Sequence, residues 1–281
     1  MNPSLPAGPA PARPKRRELF RLLRNAAAVL AIGIAIVPAA AADTVLRVAY
    51  AETENPPRIL GQGAVVPADR PGISIELLRM AADKAGVTLE LVRVPWKRCL
   101  YLLENAYVDA IFHASYTEDR ARYAVYPTRE GKLDTGRAIY LNRYALYLRK
   151  GSEIRWDGRS LANAGKPLGT LSGNAVAEDL KQLGVAVEEA PGVRANMEKV
   201  RSGRIAAYVE IEGIGDDFLA GRRAEFAEIE KHPLPFQDKH YFVVLSKPFY
   251  QRNPTLSEAI FDAIRDVQAT PAYRRMLLKY R

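Results

Sequence analysis

The feature that most constrains the fold is an alternation of strand and helix patterns that occurs twice along the chain. From residue 44 the order is strand, helix, strand, helix, strand, in the segments "TVLRVAYA", "GISIELLRMAADKAGV", "TLELVRV", "PWKRCLYLLENAY" and "VDAIFHA". From residue 166 the same order recurs in "KPLGTLSG", "NAVAEDLKQLG", "VAVEEA", "GVRANMEKVRSG" and "RIAAYVEI". Strands that alternate with helices pair in parallel and place the helices on the faces of a sheet. The sequence therefore predicts an α/β fold with two lobes.

Two extended apolar segments flank the second unit and set the predicted domain boundaries. "RYALYLRK" begins at residue 143 and "YFVVLSK" at residue 241, and a last helix, "TLSEAIFDAIRDVQ", follows the latter. The chain is expected to cross into the second lobe and to return from it through these segments. Residues 43–143 plus 244–281 then form lobe 1, and residues 144–243 form lobe 2. The hinge is expected near residues 143–146 and 241–243.

The first 42 residues have the pattern of a secretory signal peptide. A basic region is followed by an apolar run from Ala26 to Val37 and by the small residues of "PAAAADT". This order predicts cleavage near Ala42 and export to the periplasm. The apolar run is too short for a helix across a hydrocarbon core of about 30 Å, which argues against the alternative of a retained anchor. The pattern leaves Sec and twin-arginine export both open.

Charge and cysteine content argue against a nucleic-acid-binding protein and against a disulfide-stabilised one. The leader holds six of the 41 basic and one of the 32 acidic residues, which leaves a net charge of +4 on the rest of the chain. Without a block of like charge, no nucleic-acid site is expected. Cys99 is the only cysteine, so no intramolecular disulfide can form. Its place in a helical pattern predicts a small buried hydrophobic residue rather than a nucleophile.

Several segments in a fixed order resemble one protein family. They are "LRVAY", "GISIELLRMAADKAGV", "VDAIF" followed by "TEDR", "KPLGTLSGNAV", "SGRIAAYVE" and "ATPAYRRMLLKY". Together they make residues 44–280 similar to the bacterial extracellular solute-binding proteins of family 3. The resemblance implies a periplasmic binding protein-like type II fold, with two α/β lobes joined by a two-crossover hinge. It also implies a monomeric, non-enzymatic protein without cofactor, which passes a small anionic or zwitterionic ligand to the membrane permease of an ABC importer. No metal is expected, because no pair of histidines has metal-ligand spacing and the chain has no cysteine cluster.

The resemblance assigns ligand contacts to the segment after the strand "VDAIFHA". In the family, hydroxyls and amides of this segment meet the ligand, and the arginine of "T-x-x-R" binds its carboxylate. The matching positions here are Ser115, Thr117 and Arg120. A guanidinium stays charged and its planar fork fits a carboxylate. The alternatives are a salt bridge within the lobe for Arg120 and a helix N-cap for Thr117.

The second lobe is expected to supply the other half of a carboxylate clamp. The turn "LSGNAV" joins a strand to a helix, and the positive end of a helix favours an anion. The backbone amides of Ser172, Gly173, Asn174 and Ala175 are expected to point into the cleft, opposite Arg120.

Four further residues are candidates for the cleft of lobe 1. Trp96 either borders the ligand or belongs to the core, and Arg98 is a candidate for a second anion contact. Tyr50 ends the first strand, where open α/β sheets bind ligands. His113 is either a ligand hydrogen-bond donor or a structural histidine.

The amine-binding residue of the family is missing. Amino-acid binders of this family place an aspartate eight residues after the glycine that here is Gly203, and that position is Ile211. Glu210 and Glu212 flank it, and a small local shift would bring either Glu210 or Glu212 into the cleft. The aromatic residue that usually precedes "PP" is also absent. Both departures argue against an ordinary α-amino acid as ligand. An acidic or polar organic anion, a modified amino acid and a short peptide all remain open.

An enzyme on the same fold is the second hypothesis. Some relatives are cyclohexadienyl dehydratases, exported lyases that act on carboxylated rings. Such chemistry needs a general acid or base in the cleft, and the candidates are Glu54, Glu210, Glu212 and His113.

Overall fold

The computed structural model describes Gly8 and residues 44–280, so the predicted signal peptide and its cleavage near Ala42 lie outside the described segment 44–280. The strands of the large sheet are β1 (Thr44–Ala51), β2 (Val87–Val94), β3 (Ala110–Ser115), β4 (Ala124–Val125), β7 (Tyr140–Arg149), β10 (Leu168–Leu171), β11 (Val187–Ala190), β12 (Ala207–Ile211), β13 (Ile229–Lys231) and β14 (Gln237–Ser246). Two small hairpins are formed by β5 (Thr128–Arg129) with β6 (Lys132–Leu133) and by β8 (Arg155–Trp156) with β9 (Leu161–Ala162). The α-helices are α1 (Ile73–Ala85), α2 (Trp96–Glu104), α3 (Glu118–Ala121), α4 (Val176–Gln182), α5 (Val193–Arg201), α6 (Glu212–Ala220), α7 (Lys247–Arg252), α8 (Pro254–Gln268) and α9 (Pro271–Leu277).

The strand order of the large sheet is β11-β10-β12-β7-β14-β3-β1-β2. We call β2, β1 and β3 the first half, β12, β10 and β11 the second half, and β7 and β14 the central strands. Pairing within each half is parallel, whereas the central strands pair antiparallel with each other and with their outer neighbours. Each parallel half is one of the predicted strand–helix units, and this part of the prediction is confirmed.

Amphipathic helices cover the parallel strands and bury two separate sets of apolar residues. On the first half, α1 presents Ile75, Leu77 and Leu78 to β1 and to α8, and all three are buried. Each such side chain stabilises the folded state by about 1.5–3 kcal/mol when it is fully buried. On the second half, α4 and α5 bury Val176, Leu180, Met197 and Val200 against β7, β10 and β12. The folded chain therefore has its apolar cores on either side of the central strands.

The short elements are those that the sequence pattern did not predict. The helices and strands of the two units are present with ends shifted by a few residues, whereas α6, α7, α9, the two hairpins and β13 were not expected. The predicted lobe boundaries, after residues 143 and 243, fall within β7 and β14 and stay a prediction.

Two predictions about single features can be compared directly with the structure. Cys99 is completely buried in the first half, and burial raises the pKa of its thiol to about 12, so the prediction of a structural cysteine is confirmed. Within residues 44–280, none of the helices has the length and apolar character required to span a membrane.

Candidate functional site

Arg120 lies where the two halves of the sheet meet, and its guanidinium contacts both. Nη1 donates to the carbonyl of Ser115 at 2.9 Å, and Nη2 donates to the carbonyl of Gly173 at 2.7 Å. The residue is 7% exposed and lies over the Trp96 ring at 5.6 Å. The neighbouring Asp119 pairs with Arg122 at 3.4 Å, and no described carboxylate pairs with Arg120. The alternative of a salt bridge within the lobe is therefore wrong.

Helix α3 fixes the backbone of this arginine. Thr117 has an extended backbone, and its Oγ1 accepts a hydrogen bond from the amide of Arg120 at 3.1 Å. A hydroxyl at this position satisfies one of the free amides at the start of a helix. The predicted capping role of Thr117 is confirmed, and its hydroxyl is the acceptor that holds Arg120 at the end of β3.

The turn between β10 and α4 presents a carbonyl, not amides, to the first half. The amide of Ser172 donates to the carbonyl of Ala190 at 3.0 Å, that of Gly173 to Glu189 Oε2 at 2.7 Å, and that of Asn174 to the carbonyl of Leu171 at 3.0 Å. The expectation that these three amides are free is therefore wrong. Gly173 has a left-handed backbone (φ +77°) in this turn, and its carbonyl points to the first half. Ala175 follows it and is buried at the start of α4.

Trp96 joins the two halves through the same carbonyl. Its Nε1 donates to the carbonyl of Gly173 at 3.0 Å, while its ring packs on the apolar core of the first half. Both interpretations of Trp96, as core and as border of the cleft, therefore describe part of its surroundings. Arg98, two residues further on, is exposed and stacks over Tyr101 at 4.7 Å. Because Arg98 lies on the outer surface of α2, its assignment as a second anion contact is wrong in this structure.

We expect Gly173→Ala to destabilise the protein by about 2 kcal/mol. A left-handed backbone costs an L-residue about 1–2 kcal/mol, and the added Cβ would also lie 3.2 Å from Lys97 Cγ and 3.4 Å from Trp96 Cδ1. Gly184→Ala is the matched control, because Gly184 has φ +74° and no neighbour within 4 Å of the added Cβ. Urea unfolding of the two variants measures the difference. Equal losses of unfolding free energy in the two variants would show that the close contacts of Gly173 with Lys97 and Trp96 do not add to the cost of its backbone conformation.

A row of tyrosines on the two central strands begins beside Ser115, at the end of β3. Tyr241 of β14 pairs directly with Ser115 of β3 on one side and with Tyr140 of β7 on the other. The rings of Tyr140 and Tyr241 are stacked at 5.3 Å. Tyr144, on the same face of β7, hydrogen-bonds to Tyr241 and donates to Asn174 Oδ1 at 2.8 Å. We call this set of side chains, with Asn142 between Tyr140 and Tyr144, the tyrosine floor.

The tyrosine floor holds buried hydrogen-bonding atoms without partners. Within residues 44–280, Ser115 Oγ, Tyr140 Oη and Asn142 Nδ2 are buried and have no hydrogen-bond partner. Leaving such an atom unsatisfied costs about 1–3 kcal/mol, so most buried polar atoms in proteins are paired. Three of them on one face, next to an arginine without a carboxylate, indicate a site for a polar ligand.

His113 faces the tyrosine floor because a β-bulge displaces it from the regular pairing of β3 and β14. The register shifts between Phe242 and Val243, and His113 has φ +63°. Its ring is edge-on to that of Tyr140 at 4.8 Å, and Nε2 is 2.7 Å from Ser74 Oγ. Burial, and to a smaller extent the charge of Arg58, holds the pKa of His113 well below its usual value. The imidazole is neutral at pH 7 and, with Nε2 engaged by Ser74, keeps Nδ1 as its remaining hydrogen-bonding atom.

Tyr50 belongs to the core of the first half rather than to the tyrosine floor. It is fully buried and its ring stacks on Phe112 at 5.1 Å. Burial raises the pKa of its phenol. Its hydroxyl is buried without a partner, but the ring packs with the apolar residues beneath β1.

Glu210 lies on the face of β12 that points away from the tyrosine floor. It is opposite Ala145 in the sheet, whereas Ile211 is opposite Tyr144 and shares its face. Glu210 accepts hydrogen bonds from the Tyr208 hydroxyl and, at 2.7 Å, from the amide of Ile211. The prediction that a local shift turns Glu210 into the cleft is wrong, because the strand alternates regularly through this position.

The sequence did not single out the tyrosine floor, Ser74 or Arg58. The spacing of Tyr140, Asn142 and Tyr144 would have placed these three on one face of a strand. Nothing in the sequence indicates which residues of β3 and β14 lie beside them.

Two α/β halves that share a pair of central strands, with polar groups where the halves meet, define a bilobed binding protein. The family model for "Bacterial extracellular solute-binding proteins, family 3" matches residues 46–281, and the chain belongs to this family. The predicted family is confirmed.

Solved structures share the fold at low sequence identity. The GluR0 ligand-binding core of Nostoc punctiforme, in complex with L-glutamate, has a TM-score of 0.59 and 16% identity, over 84% of this chain and 98% of that one. The protein AbpA of Streptococcus pneumoniae, an amino acid ABC transporter substrate-binding protein bound to L-arginine, has a TM-score of 0.58 and 20% identity, over 84% and 94%. A histidine kinase sensor domain with similarity to periplasmic binding proteins has a TM-score of 0.63 and 15% identity, over 85% and 96%. The comparison with curated proteins gave no match. The likeness confirms the predicted type II fold.

Proposed function

We propose that this protein captures a small carboxylate-bearing solute between the two halves, in the periplasm, and delivers it to an ABC importer. The solute is an amino acid or a related organic anion, and Arg120 binds its carboxylate. The observation that carries the proposal is the buried guanidinium of Arg120, which contacts both halves and has only carbonyl partners among the described residues. A carboxylate is the partner that such a fork lacks.

Capture is proposed to work through closure of the two halves. Arg120 and Trp96 of the first half already bind the Gly173 carbonyl of the second. A ligand that contacts both halves stabilises the closed arrangement, because only there are all contacts made together. Rotation about the central strands near residues 143–146 and 241–243 would open the site.

Membership of an extracellular solute-binding family supports periplasmic delivery to a permease. The solved structures of the same fold include substrate-binding proteins of amino acid ABC transporters, which also supports delivery to a permease. The histidine kinase sensor domain shows that the fold also serves in sensing.

The positions of the acidic candidates favour binding over the lyase hypothesis. Glu54 accepts from the amide of Gly61 at 2.8 Å, and Glu212 is paired with Lys231 at 2.8 Å. Glu210 faces away from the tyrosine floor, as described above. His113 alone reaches the floor, and its pKa lies well below the range of a general base at neutral pH.

We expect carboxylates to raise the thermal midpoint of the purified protein, and the matched amides not to do so. A ligand at 100 times its dissociation constant stabilises the native state by about 2.7 kcal/mol. Glutarate against glutaramide and butyrate against butyramide compare molecules of equal shape that differ in charge. Equal shifts by acid and amide, or no shift by any carboxylate, would disprove the proposal.

A further inference from the structure

Arg58 is a second guanidinium beside the tyrosine floor. It lies in the loop between β1 and α1, and its guanidinium carbon is 4.2 Å from the centre of the Tyr140 ring. The loop backbone fixes the residue, because its amide donates to the carbonyl of Asn55 at 2.8 Å and its carbonyl accepts from the amide of Ser74 at 3.1 Å. The backbone of Arg58 is therefore fixed, and its guanidinium lies over the Tyr140 end of the tyrosine floor.

The half-buried guanidinium of Arg58 has no hydrogen bond or ion pair with any residue of the segment 44–280. Other shielded arginines have hydrogen-bond or ion-pair partners within the described residues. Arg93 donates to the carbonyls of Glu52, Gly61 and Val65, and Arg137 pairs with Glu258 and Asp262. A guanidinium that stacks on an aromatic ring keeps its donors at its edge free for an oxyanion.

The groups around Arg58 do not neutralise it. Its charge acts on His113, Tyr140 and Tyr273, and these side chains are all neutral at pH 7. Two acidic side chains, one in this loop and one on α4, are engaged: Glu54 accepts from the amide of Gly61 at 2.8 Å, and Asp179 accepts from Gln237 Nε2 and from Lys239 Nζ, each at 2.6 Å. A positively charged ligand group would have to compete with these contacts for a carboxylate, and an unpaired buried charge is costly.

The two guanidinium groups flank one row of side chains. Ser115, Tyr241 and Tyr140 are direct neighbours on three adjacent strands, with Arg120 at the Ser115 end and Arg58 above Tyr140. Two strand spacings separate the ends of this row, which is on the order of 10 Å. A dicarboxylate of about four to six carbons, with a hydrogen bond of about 3 Å at each end, has a length on this scale.

We propose that Arg58 binds a second carboxylate of the same ligand, so that the solute is a dicarboxylate without an ammonium group. This inference rests on the proposed function, in which Arg120 binds the first carboxylate. The hydroxyls of the tyrosine floor then contact the chain between the two anionic ends.

The test is calorimetric titration of the purified protein with dicarboxylates and with monocarboxylates of the same length. Succinate, glutarate and adipate are compared with butyrate, pentanoate and hexanoate, in wild type and in Arg58→Gln. We expect wild type to prefer the best dicarboxylate at least about tenfold. Arg58→Gln is expected to lose that preference, with little change for the monocarboxylates, because one charge-assisted hydrogen-bond pair is removed.

Arg70→Gln is the matched control. Arg70 lies in the same loop, is exposed, and stacks on Tyr280 at 5.5 Å, so the variant removes the same charge and a similar contact away from the floor. Unchanged affinities in this variant support the assignment. Equal affinity of wild type for mono- and dicarboxylates, or an equal loss for both in Arg58→Gln, overturns it and leaves the proposed function standing. Binding of no carboxylate at all overturns the proposed function as well.

Discussion

Arg120→Gln is expected to weaken carboxylate binding about 10- to 100-fold while the protein remains folded. A hydrogen bond to a charged group contributes about 1.5–3 kcal/mol, and each 1.4 kcal/mol is a factor of ten in affinity. Arg120 is buried and has only two carbonyl partners, so the variant removes the charge without stranding a carboxylate. Titration with glutarate and with butyrate, together with thermal unfolding of the free variant, measures both parts of the expectation.

Three further variants separate charge from geometry in this test. Arg120→Lys keeps the charge but loses the planar fork, and we expect an intermediate affinity. Trp96→Phe removes another donor to the Gly173 carbonyl without changing charge, and we expect a smaller loss. Arg122→Gln, on the exposed side of α3, should change nothing beyond its contact with Asp119. Affinity of Arg120→Gln within twofold of wild type would refute the assignment.

The family resemblance singled out Arg120, and the cap that fixes its backbone could be predicted because it depends on local chemistry. The strand β3 ends at Ser115, and the Thr117 hydroxyl that follows it caps α3 and sets the arginine three residues later. The parallel halves could be predicted for a similar reason, since strand and helix periodicity alternate over short distances. The residues that indicate these features lie within a single turn, strand or helix.

The tyrosine floor and Arg58 depend on contacts between distant parts of the chain. Tyr140 and Tyr241 become neighbours only through the register of two strands that are about a hundred residues apart. Periodicity shows which residues share a face, but not which strand lies next to another. The loop that carries Arg58 has no period, and its backbone contacts with Asn55 and Ser74 could not be derived from composition.

The orientation of the Gly173 turn was missed because one distant side chain decides it. Glu189, on β11, accepts the amide of Gly173 and leaves the carbonyl to face Arg120 and Trp96. A helix start favours an anion in general, but here the anion that uses the Gly173 amide belongs to the protein.

We expect wild type to lose stability as the pH rises, and Glu210→Gln not to lose it. Burial raises the pKa of Glu210 from 4.5 to about 7, against the opposing effect of hydrogen bonds from Tyr208 and the amide of Ile211. The folded state therefore holds this proton more tightly than the unfolded state does. The free energy of unfolding should fall between about pH 4.5 and pH 7 by about 3 kcal/mol, since one pKa unit corresponds to about 1.4 kcal/mol.

Glutamine keeps the shape and stays neutral, so the variant should show a flat profile in this window and should be more stable than wild type at pH 8. Urea unfolding at intervals between pH 4.5 and pH 8 measures both curves. Glu230→Gln is the control, because Glu230 is exposed on β13 and forms no ion pair with a described residue, and its curve should run parallel to that of wild type. Parallel curves for Glu210→Gln and wild type would mean that the carboxylate is already ionised at low pH, stabilised by its two hydrogen bonds. In that case, burial on the face of β12 away from Ile211 would not control its charge.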